Sequence, residues 1–306
     1  MGKKPYIVAG IPAFNEEKTI AKVVLLTKKY VDKVVVVDDG STDMTAEIAE
    51  ALGAEVIRHK VNLGKGAALR TLFAKARECG ADVLVLLDAD DQHNPQQISD
   101  IIEPIIKNEA DIVIGSRFLG KSIGIPKYRK VGLKVLSKII ATITKNSITD
   151  PLSGFRALSK KALAMIDLLE KGYGVEVEML LKAVKKGLRI CEVPITVNYT
   201  TGAKTSKKHP IVQGAEIISA IIRRTVEKNP LVFMGIPGFL NMLTGMYFIG
   251  ALITIYNHTR YFSLPMAIIA LGFITAGIIL LTSAVTIYLM RNLEKKIIAH
   301  EYRMMK

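Results

Sequence analysis

The chain has 306 residues, half of them apolar, and its mean hydropathy of +0.30 is high for a purely soluble enzyme. Two cysteines are too few for a disulfide framework. The net charge of +14 is compatible with nucleic acid, a membrane surface or anionic substrates as partners. The dispersed basic residues form no known nucleic-acid module, so lipid headgroups and phosphate substrates are the simpler explanation.

Residues 6–115 alternate between strand-like and helix-like segments. The N-terminus has no long apolar stretch or cleavage site, which predicts an opening strand rather than a signal peptide. Apolar runs predict strands at Tyr6–Ile11, Lys33–Val37, Ala54–Arg58, Asp82–Leu87 and Asp111–Gly115. Helices are predicted at Asn15–Lys29, Thr42–Leu52 (capped by Ser41 or Thr42), Lys65–Cys79 and Pro95–Lys107. This alternation predicts an α/β fold with a mostly parallel sheet covered on both faces.

Two amphipathic segments follow, Val131–Ile143 and Ile211–Val226, with Lys or Arg on one side and aliphatic residues on the other. They are either core-facing helices or interfacial helices that seat the domain on a membrane. The second interpretation gains weight because Ile211–Val226 runs directly into the most apolar part of the chain.

The C-terminal quarter of the sequence predicts a transmembrane hairpin. Leu231–Tyr256 and Tyr261–Met290 carry no formal charge, and each exceeds the roughly 20 apolar residues that a spanning helix needs. Lys and Arg flank both outer ends, which places the catalytic domain in the cytosol. The predicted organisation is a catalytic domain at 1–210, an interface helix at 211–229, two membrane helices at 230–291 and a basic tail at 292–306.

Acidic residues follow two of the predicted strands. Asp38 and Asp39 are placed where α/β sheets bind ligands and could hydrogen-bond a nucleobase or ribose, although a turn with a helix cap is the alternative. Asp88, Asp90 and Gln92 alternate after the strongest strand, so in an extended segment they would converge. Their oxygens suit Mg²⁺ or Mn²⁺, which would bridge a diphosphate; the alternative is a solvated acidic turn.

Basic residues complete the candidate site. Gly64-Lys65-Gly66 opens a helix and allows close approach of a substrate, but Leu69 stands where a dinucleotide fingerprint has its third glycine. Arg117 and Arg129 suit an anionic lipid headgroup because a guanidinium binds phosphate through two hydrogen bonds; surface or salt-bridged arginines are the alternative.

Taken together, the motifs resemble the inverting family 2 glycosyltransferases with a GT-A fold. Within that family they are similar to the dolichyl-phosphate mannose and glucose synthases and their bacterial polyprenyl counterparts, over residues 5–225. The motifs that carry the resemblance appear in order: Pro12-x-Phe14-Asn15-Glu16, Asp38-Asp39-Gly-Ser, Gly64-Lys65-Gly66, Asp88-Ala-Asp90-x-Gln92-His93, Gly115-Ser-Arg117 and Ser153-Gly154-Phe155-Arg156.

The resemblance implies a role for each matching residue. Asp90 and Gln92 would hold Mg²⁺ or Mn²⁺, with Asp88 beside them, and Arg117 and Arg129 would hold the lipid phosphate. The nucleotide-sugar would be bound by Pro12, Phe14, Glu16, Asp38, Asp39, Lys65, Asp88 and Glu178. Relatives often carry Arg-x-Gly-x-Ser-Lys near the diphosphate; here the stretch Gly202–Lys207 lacks the arginine, and Lys204 or Lys207 takes its place, with Lys207 assigned to the acceptor phosphate.

The implied reaction is transfer of a hexose from UDP-glucose, UDP-GlcNAc or GDP-mannose to dolichyl or polyprenyl phosphate, at the cytosolic face of a membrane and with a homo-oligomer possible. Gly174–Leu180 looks more like the glucose or N-acetylglucosamine branch. Two rivals stay open. A processive polysaccharide synthase would carry a Gln-x-x-Arg-Trp signature, and this chain has no tryptophan. A non-catalytic scaffold that binds nucleotide-sugars would show no metal-dependent transfer.

Overall fold

A computed structural model describes residues 4–120, 122–123, 137, 148–169, 174–198 and 229–304. The chain divides into two compact units, Met1–Ile217 and Ile218–Lys306. Apart from Ser137, the predicted interface helices Val131–Ile143 and Ile211–Val226 lie outside the described residues. The first unit carries the predicted site, and the second carries the apolar segments.

The first unit is built on a seven-stranded sheet of order β3-β2-β1-β4-β7-β5-β8. In this sheet only β7 runs antiparallel to its neighbours, β4 and β5. β6 and β9 form a separate parallel pair. The strands are β1 Ile7–Ala13, β2 Lys33–Asp38, β3 Glu55–Arg58, β4 Val83–Leu86, β5 Ile112–Ser116, β6 Ser122–Ile123, β7 Arg156–Ser159, β8 Ile190–Pro194 and β9 Val197–Asn198.

Helices cover both faces of this sheet, as the apolar strands predict. They are α1 Ile20–Thr27, α2 Thr45–Ala51, α3 Lys65–Glu78, a 3₁₀ turn Pro95–Gln97 that leads into α4 Ile98–Ile106, α5 Lys160–Met165 and α6 Val175–Lys185. One core packs α1 and α4 against alternate strand residues such as Ile7 and Ile11. The other packs α3, α5 and α6 against the opposite face, where Val8 lies. The mostly parallel α/β prediction is therefore confirmed.

The loop after β1 corrects two local predictions. The helix predicted from Asn15 begins only at Ile20, because Asn15 adopts a left-handed φ of 54°. Its N–H donates to the Ser41 hydroxyl at 2.8 Å, and its side chain accepts from the Thr42 N–H at 2.8 Å. Neither Ser41 nor Thr42 caps α2, which starts after Met44 without a side-chain cap. The two residues join the loops that follow β1 and β2 instead.

The second unit is a helical hairpin. A π-helical turn, Leu231–Gly235, leads into α7 Ile236–Thr259, and α8 extends over Leu264–Met304. Leu231–Thr259 and Leu264–Leu293 are long and apolar enough to cross a membrane, with hydropathies of 1.6 and 2.5. Only 17% and 11% of their most apolar windows are buried, unlike the core helices of a soluble domain. The two predicted helices are confirmed as candidate membrane spans.

Small residues form the seam between α7 and α8. A Cβ on Gly245 would lie 2.5 Å from the Ile274 side chain, and one on Gly277 would lie 2.8 Å from the Gly238 carbonyl oxygen. Ala270 and Ala284, each seven residues from Gly277, are also buried. Close approach of two helix backbones over small residues is a common way to pack helices in lipid.

We expect Gly277→Leu to destabilise the hairpin, because the new side chain would meet the Gly238 backbone. Overpacking of this kind costs about 1–3 kcal/mol. Gly272→Leu is the matched control on the same helix, since no atom lies within 4 Å of its Cβ position. Circular dichroism during thermal unfolding in detergent should show a lower Tm for Gly277→Leu alone, and equal Tm values for both variants would contradict the seam.

Candidate active site

An ionic cluster lies beyond the carboxyl end of β4. Lys65, the first residue of α3, places its Nζ 2.7 Å from Asp88 Oδ1 and 2.9 Å from Glu176 Oε1. Asp88 follows β4, and Glu176 is in the first turn of α6. Three elements that are distant in sequence therefore meet in one charged cluster at the strand end, where open α/β sheets bind their ligands.

The charges in this cluster stabilise one another. Burial opposes the Lys65 ammonium, but the carboxylates of Asp88 and Glu176 outweigh it and raise the pKa of Lys65. Burial also opposes the Asp88 carboxylate, yet Lys65 and the nearby His93 hold the pKa of Asp88 well below its usual range. Lys65 is therefore a cation and Asp88 an anion at every physiological pH.

The motif Ser153–Arg156 packs against the Asp88 carboxylate and holds the surrounding loop. A Cβ at Gly154 would lie 2.2 Å from Asp88 Oδ2, so only glycine allows the carboxylate its position. The fully buried Arg156 guanidinium donates to the carbonyl oxygens of Ser153 at 2.8 Å, Pro151 at 2.6 Å and Glu176 at 3.0 Å. Arg156 thus ties the loop before β7 to the first turn of α6, and burial lowers its pKa.

The motif predicted to bind a metal forms a turn rather than the extended segment that the alternation of Asp88, Asp90 and Gln92 suggested. Asp91 has a left-handed φ of 58°, and Asp90 Oδ1 accepts the Gln92 N–H at 3.1 Å. Asp91 points away to Lys22, 2.7 Å distant. The turn leaves Asp90 near enough to Asp88 for the two carboxylates to interact electrostatically.

The residues of this turn fit a divalent cation. Burial raises the pKa of Asp90, and the negative charge of Asp88 raises it further, more than the positive charges of His93 and Lys65 lower it. Within the described ranges, no group of three or more His, Cys, Asp or Glu side chains is arranged as a complete metal site. Mg²⁺ in phosphate-transfer sites usually takes one or two carboxylates and draws its other ligands from water and substrate phosphates. Asp90 and Gln92 are of that type.

The predicted nucleotide-binding residues lie near the ends of β1 and β2. Pro12, Lys65, Asp88 and Glu176 line one small cavity. Asp38 is buried and accepts the Ser41 N–H at 3.2 Å. Phe14 and Glu16 lie in the loop after β1. The Glu16 N–H donates a hydrogen bond to the Thr45 hydroxyl at 2.7 Å, which holds this loop in place.

Asp39 organises the loop that precedes α3. Its carboxylate accepts the backbone N–H groups of Leu63 and Gly64 at 3.0 and 2.8 Å, and His59 Nδ1 lies 2.7 Å away. Asp39 therefore holds the loop that leads into α3. It positions Lys65 indirectly, through the backbone of the residues that precede it.

Glu178 does not join the cluster around Asp88. Its two oxygens accept the Leu169 N–H at 3.0 and 3.1 Å, and Lys182 lies 3.0 Å away. Glu176, two residues earlier, takes the place beside Lys65. Residues two apart on a helix point to different sides, so the run Val175-Glu176-Val177-Glu178 alone could not tell which glutamate faces the site.

Arg117 follows β5 and forms a buried ion pair with Asp150. Nε and Nη2 donate to the two carboxylate oxygens of Asp150 at 2.6 Å each, and the Arg117 N–H donates at 3.0 Å. Sequence reasoning missed Asp150, which precedes the Ser153–Arg156 motif. Arg129 and Lys207, the other residues predicted to bind the acceptor phosphate, lie outside the described residues.

Asp88 and Arg117 lie at the same edge of the sheet. β7 separates β4 from β5, and its first residue, Arg156, pairs with Leu86 on one side and Ile114 on the other. Two strand spacings of about 4.8 Å put the ends of β4 and β5 roughly 10 Å apart. The ionic cluster around Asp88 and the Arg117 residue therefore lie on either side of β7.

The chain is similar in sequence to proteins named as glycosyltransferases. The chain is 39% identical to the UDP-N-acetylglucosamine–dolichyl-phosphate N-acetylglucosaminyltransferase of Methanococcus voltae, over 62% of this chain and 84% of the relative. It is 32% identical to the dolichol-phosphate mannosyltransferase of Pyrococcus furiosus, over 78% of this chain and 70% of the relative.

The fold also matches a solved structure. The glucosyl-3-phosphoglycerate synthase of Mycobacterium tuberculosis, crystallised with Mn²⁺, UDP and glucosyl-3-phosphoglycerate, superposes with a TM-score of 0.58 at 25% identity, covering 72% of this chain and 80% of that one. Residues 9–166 match the family described as glycosyl transferase family 2. That range runs from within β1 to the end of α5 and contains Asp88, Asp90, Arg117 and Asp150; the chain belongs to glycosyl transferase family 2.

Proposed function

We propose that this glycosyltransferase moves one hexose from a nucleotide-sugar to a dolichyl or polyprenyl phosphate. The observation that carries the proposal is the pairing of two unlike subsites across β7. Asp88 with Lys65, and Asp90 in the turn that follows, would suit a metal and a diphosphate, and Arg117 follows the strand two positions away in the sheet. Relatives named for transfer to dolichyl phosphate and polyprenol support the acceptor assignment.

The donor would bind at the ends of β1, β2 and β4. Pro12, Phe14, Glu16, Asp38 and Asp39 surround the nucleotide side, with Asp39 acting partly through the loop that it holds. Lys65 and Asp88 lie nearer the sugar and diphosphate. Glu176 joins them, because its Oε2 is buried without a hydrogen-bond partner among the described residues and suits a sugar hydroxyl. UDP-glucose, UDP-GlcNAc and GDP-mannose remain the candidate donors.

A bound Mg²⁺ or Mn²⁺ would be held by Asp90 and Gln92, and it would supply positive charge to the departing diphosphate. The protein's own residues do the rest. Lys65 keeps Asp88 ionised and fixed, Gly154 gives that carboxylate room, and Arg156 holds the loop beneath it.

The acceptor explains why the site needs little acid–base machinery. A phosphate monoester has a second pKa of about 6 and is largely ionised at neutral pH, so it attacks without a strong general base. Catalysis then reduces to placing a phosphate oxygen behind the anomeric carbon, with inversion in a single displacement. Arg117 and Arg129 are assigned to that placement.

The test uses the full-length protein purified in detergent, polyprenyl phosphate, and a panel of radiolabelled UDP- and GDP-sugars. We expect one donor to label the lipid in the presence of Mg²⁺ or Mn²⁺ and chelation to stop the reaction. Nucleotide-sugar binding without transfer to any acceptor would instead favour the scaffold alternative.

Arg117→Ala and Arg129→Ala should each impair transfer to lipid phosphate while nucleotide-sugar affinity stays nearly unchanged. A lost charge-assisted hydrogen bond costs about 1.5–3 kcal/mol, or roughly 10- to 150-fold. Arg→Lys should rescue only partly, because an ammonium lacks the guanidinium fork. Calorimetry with metal measures the donor affinity, and loss of donor binding with intact lipid binding would move that arginine to the donor site.

We also propose that the two candidate spans anchor the protein with its catalytic domain in the cytosol, as the flanking Lys and Arg residues favour. A chain that ends at Asn229 should lose most of its membrane attachment. Fractionation measures this loss, and protease digestion of sealed vesicles tests the orientation. A catalytic unit protected from protease added on the cytosolic side would contradict the topology.

A further inference from the structure

A second carboxylate organises the loop around Asp150. Glu192, on β8, accepts the backbone N–H groups of Thr149 and Asp150, each at 2.8 Å, and the Thr149 hydroxyl at 2.9 Å. The carboxylate of Glu192 therefore fixes two consecutive peptide groups immediately before the Asp150 side chain. A loop held in this way presents that side chain in one direction only.

Hydrogen bonds through Thr149 connect the Glu192 carboxylate to both sequence neighbours of Arg117. The Thr149 hydroxyl donates to Glu192, which can only accept, so in the 2.6 Å contact between Ser116 and Thr149 the Ser116 hydroxyl is the donor. Ser116 in turn accepts the Phe118 N–H at 3.2 Å. A one-way chain of hydrogen bonds thus runs from the residues on either side of Arg117 to Glu192.

Thr149 accepts one further hydrogen bond. The hydroxyl of Ser137, the residue of the predicted interface helix that the structure describes, donates to the Thr149 carbonyl oxygen at 2.7 Å. Thr149 is therefore bound to β5, to β8 and to Ser137 at once. Its position can change only if several hydrogen bonds are lost together.

The geometry of the ion pair shows what this network controls. Asp150 takes the edge of the guanidinium that carries Nε and Nη2, which sets the direction of the edge that carries Nη1. We propose that Glu192 and Asp150 are positioning residues that aim the Arg117 guanidinium at the acceptor phosphate. This inference rests on the proposed function. Glu192 acts through the loop at Thr149 and Asp150, and Asp150 acts on the guanidinium directly.

Glu192→Gln is the test variant, because it keeps the size of the side chain but turns an NH₂ group toward backbone N–H donors. The KM for polyprenyl phosphate should rise about tenfold or more, as a charge-assisted bond is lost and Arg117 loses its aim. The kcat at saturating lipid and the Kd for nucleotide-sugar should stay within about twofold of the wild-type values.

Asp111→Asn provides the matched control for stability. Asp111 is a buried carboxylate immediately before β5, and it accepts hydrogen bonds from the Arg189 backbone N–H at 2.9 Å and from the Arg189 Nε at 3.3 Å. Loss of the Asp111 charge disturbs the paired strands β5 and β8, as Glu192→Gln does, but at the end of the pair away from Arg117. Its Tm should fall while its KM for lipid phosphate stays at the wild-type value.

The double variant Glu192→Gln with Arg117→Lys separates positioning from general support of the fold. A lysine has no fork to aim, so the added effect of Glu192→Gln on KM should shrink to less than about twofold in that background. A full tenfold effect there, or no effect in the wild-type background, would overturn the inference and leave the proposed function standing. Failure of the wild-type protein to glycosylate polyprenyl phosphate would overturn both.

Discussion

Asp90→Asn should nearly abolish sugar transfer while the protein stays folded. Asp90 is half-buried beside Asp88, and burial together with that neighbouring charge raises its pKa. A cation bound there would lose its carboxylate ligand in the variant. Several kcal/mol of transition-state stabilisation correspond to a loss of about 100-fold or more in kcat. Removal of one member of a repelling carboxylate pair should leave the Tm unchanged or higher.

Asp91→Asn is the control for that experiment. Asp91 is the next residue in the same turn, but its carboxylate pairs with the exposed Lys22. Asparagine tolerates the left-handed φ of 58° that this position requires. Activity of Asp91→Asn should stay near the wild-type value over a full Mg²⁺ or Mn²⁺ titration, measured as the initial rate of label transfer. Full metal-dependent activity in Asp90→Asn would sink the metal assignment.

Lys65→Met should cost both stability and activity. Without the ammonium, the carboxylates of Asp88 and Glu176 face each other with no cation between them. Removal of one partner of a buried ion pair lowers the free energy of unfolding by about 3–5 kcal/mol. Because Asp88 is partly exposed, we expect a smaller loss of about 2–3 kcal/mol. That loss corresponds to a fall of about 5–10 °C in Tm. Transfer activity should also fall at least about tenfold, because Asp88 no longer has a fixed position.

Lys75→Met on the same helix is the matched control. Lys75 also bridges two carboxylates, Glu55 at 2.8 Å and Glu78 at 2.9 Å, but both of these partners reach solvent. Exposed pairs contribute little, so Tm by circular dichroism and the initial rate should both stay close to the wild-type values. A Lys65→Met protein that unfolds at the wild-type temperature and keeps its kcat would show that the cluster has no structural or catalytic role.

The apolar strands are the part of the fold that the sequence predicts best. Val-rich β2 and Leu-rich β4 are buried on both faces, so their apolar runs end within one residue of the observed strands. β7 escapes such reasoning, because it has only four residues and starts with the buried Arg156. Arginine has no preference for a central strand; hydrogen bonds to three carbonyl groups hold it there.

The chemistry of the site is predictable at strand ends and less so elsewhere. The positions of Asp88 and Lys65 are predictable because a strand end and a helix start fix where they lie. The loop contacts of Asp39 are not, because its backbone partners, Leu63 and Gly64, belong to a loop of no regular pattern. Glu176, Asp150 and Glu192 act through long-range contacts to Lys65, Arg117 and Thr149, and no spacing in the sequence announces such contacts.

The mass of the lipid product tests the central claim most directly. The full-length protein, the preferred nucleotide-sugar, a divalent cation and polyprenyl phosphate are incubated together, and the extracted lipid is analysed by mass spectrometry. We expect a single new species, the lipid phosphate plus one hexose unit, and its absence in Asp90→Asn. A ladder of several sugar units would identify a processive synthase, and free sugar with unmodified lipid would contradict transfer to the lipid phosphate.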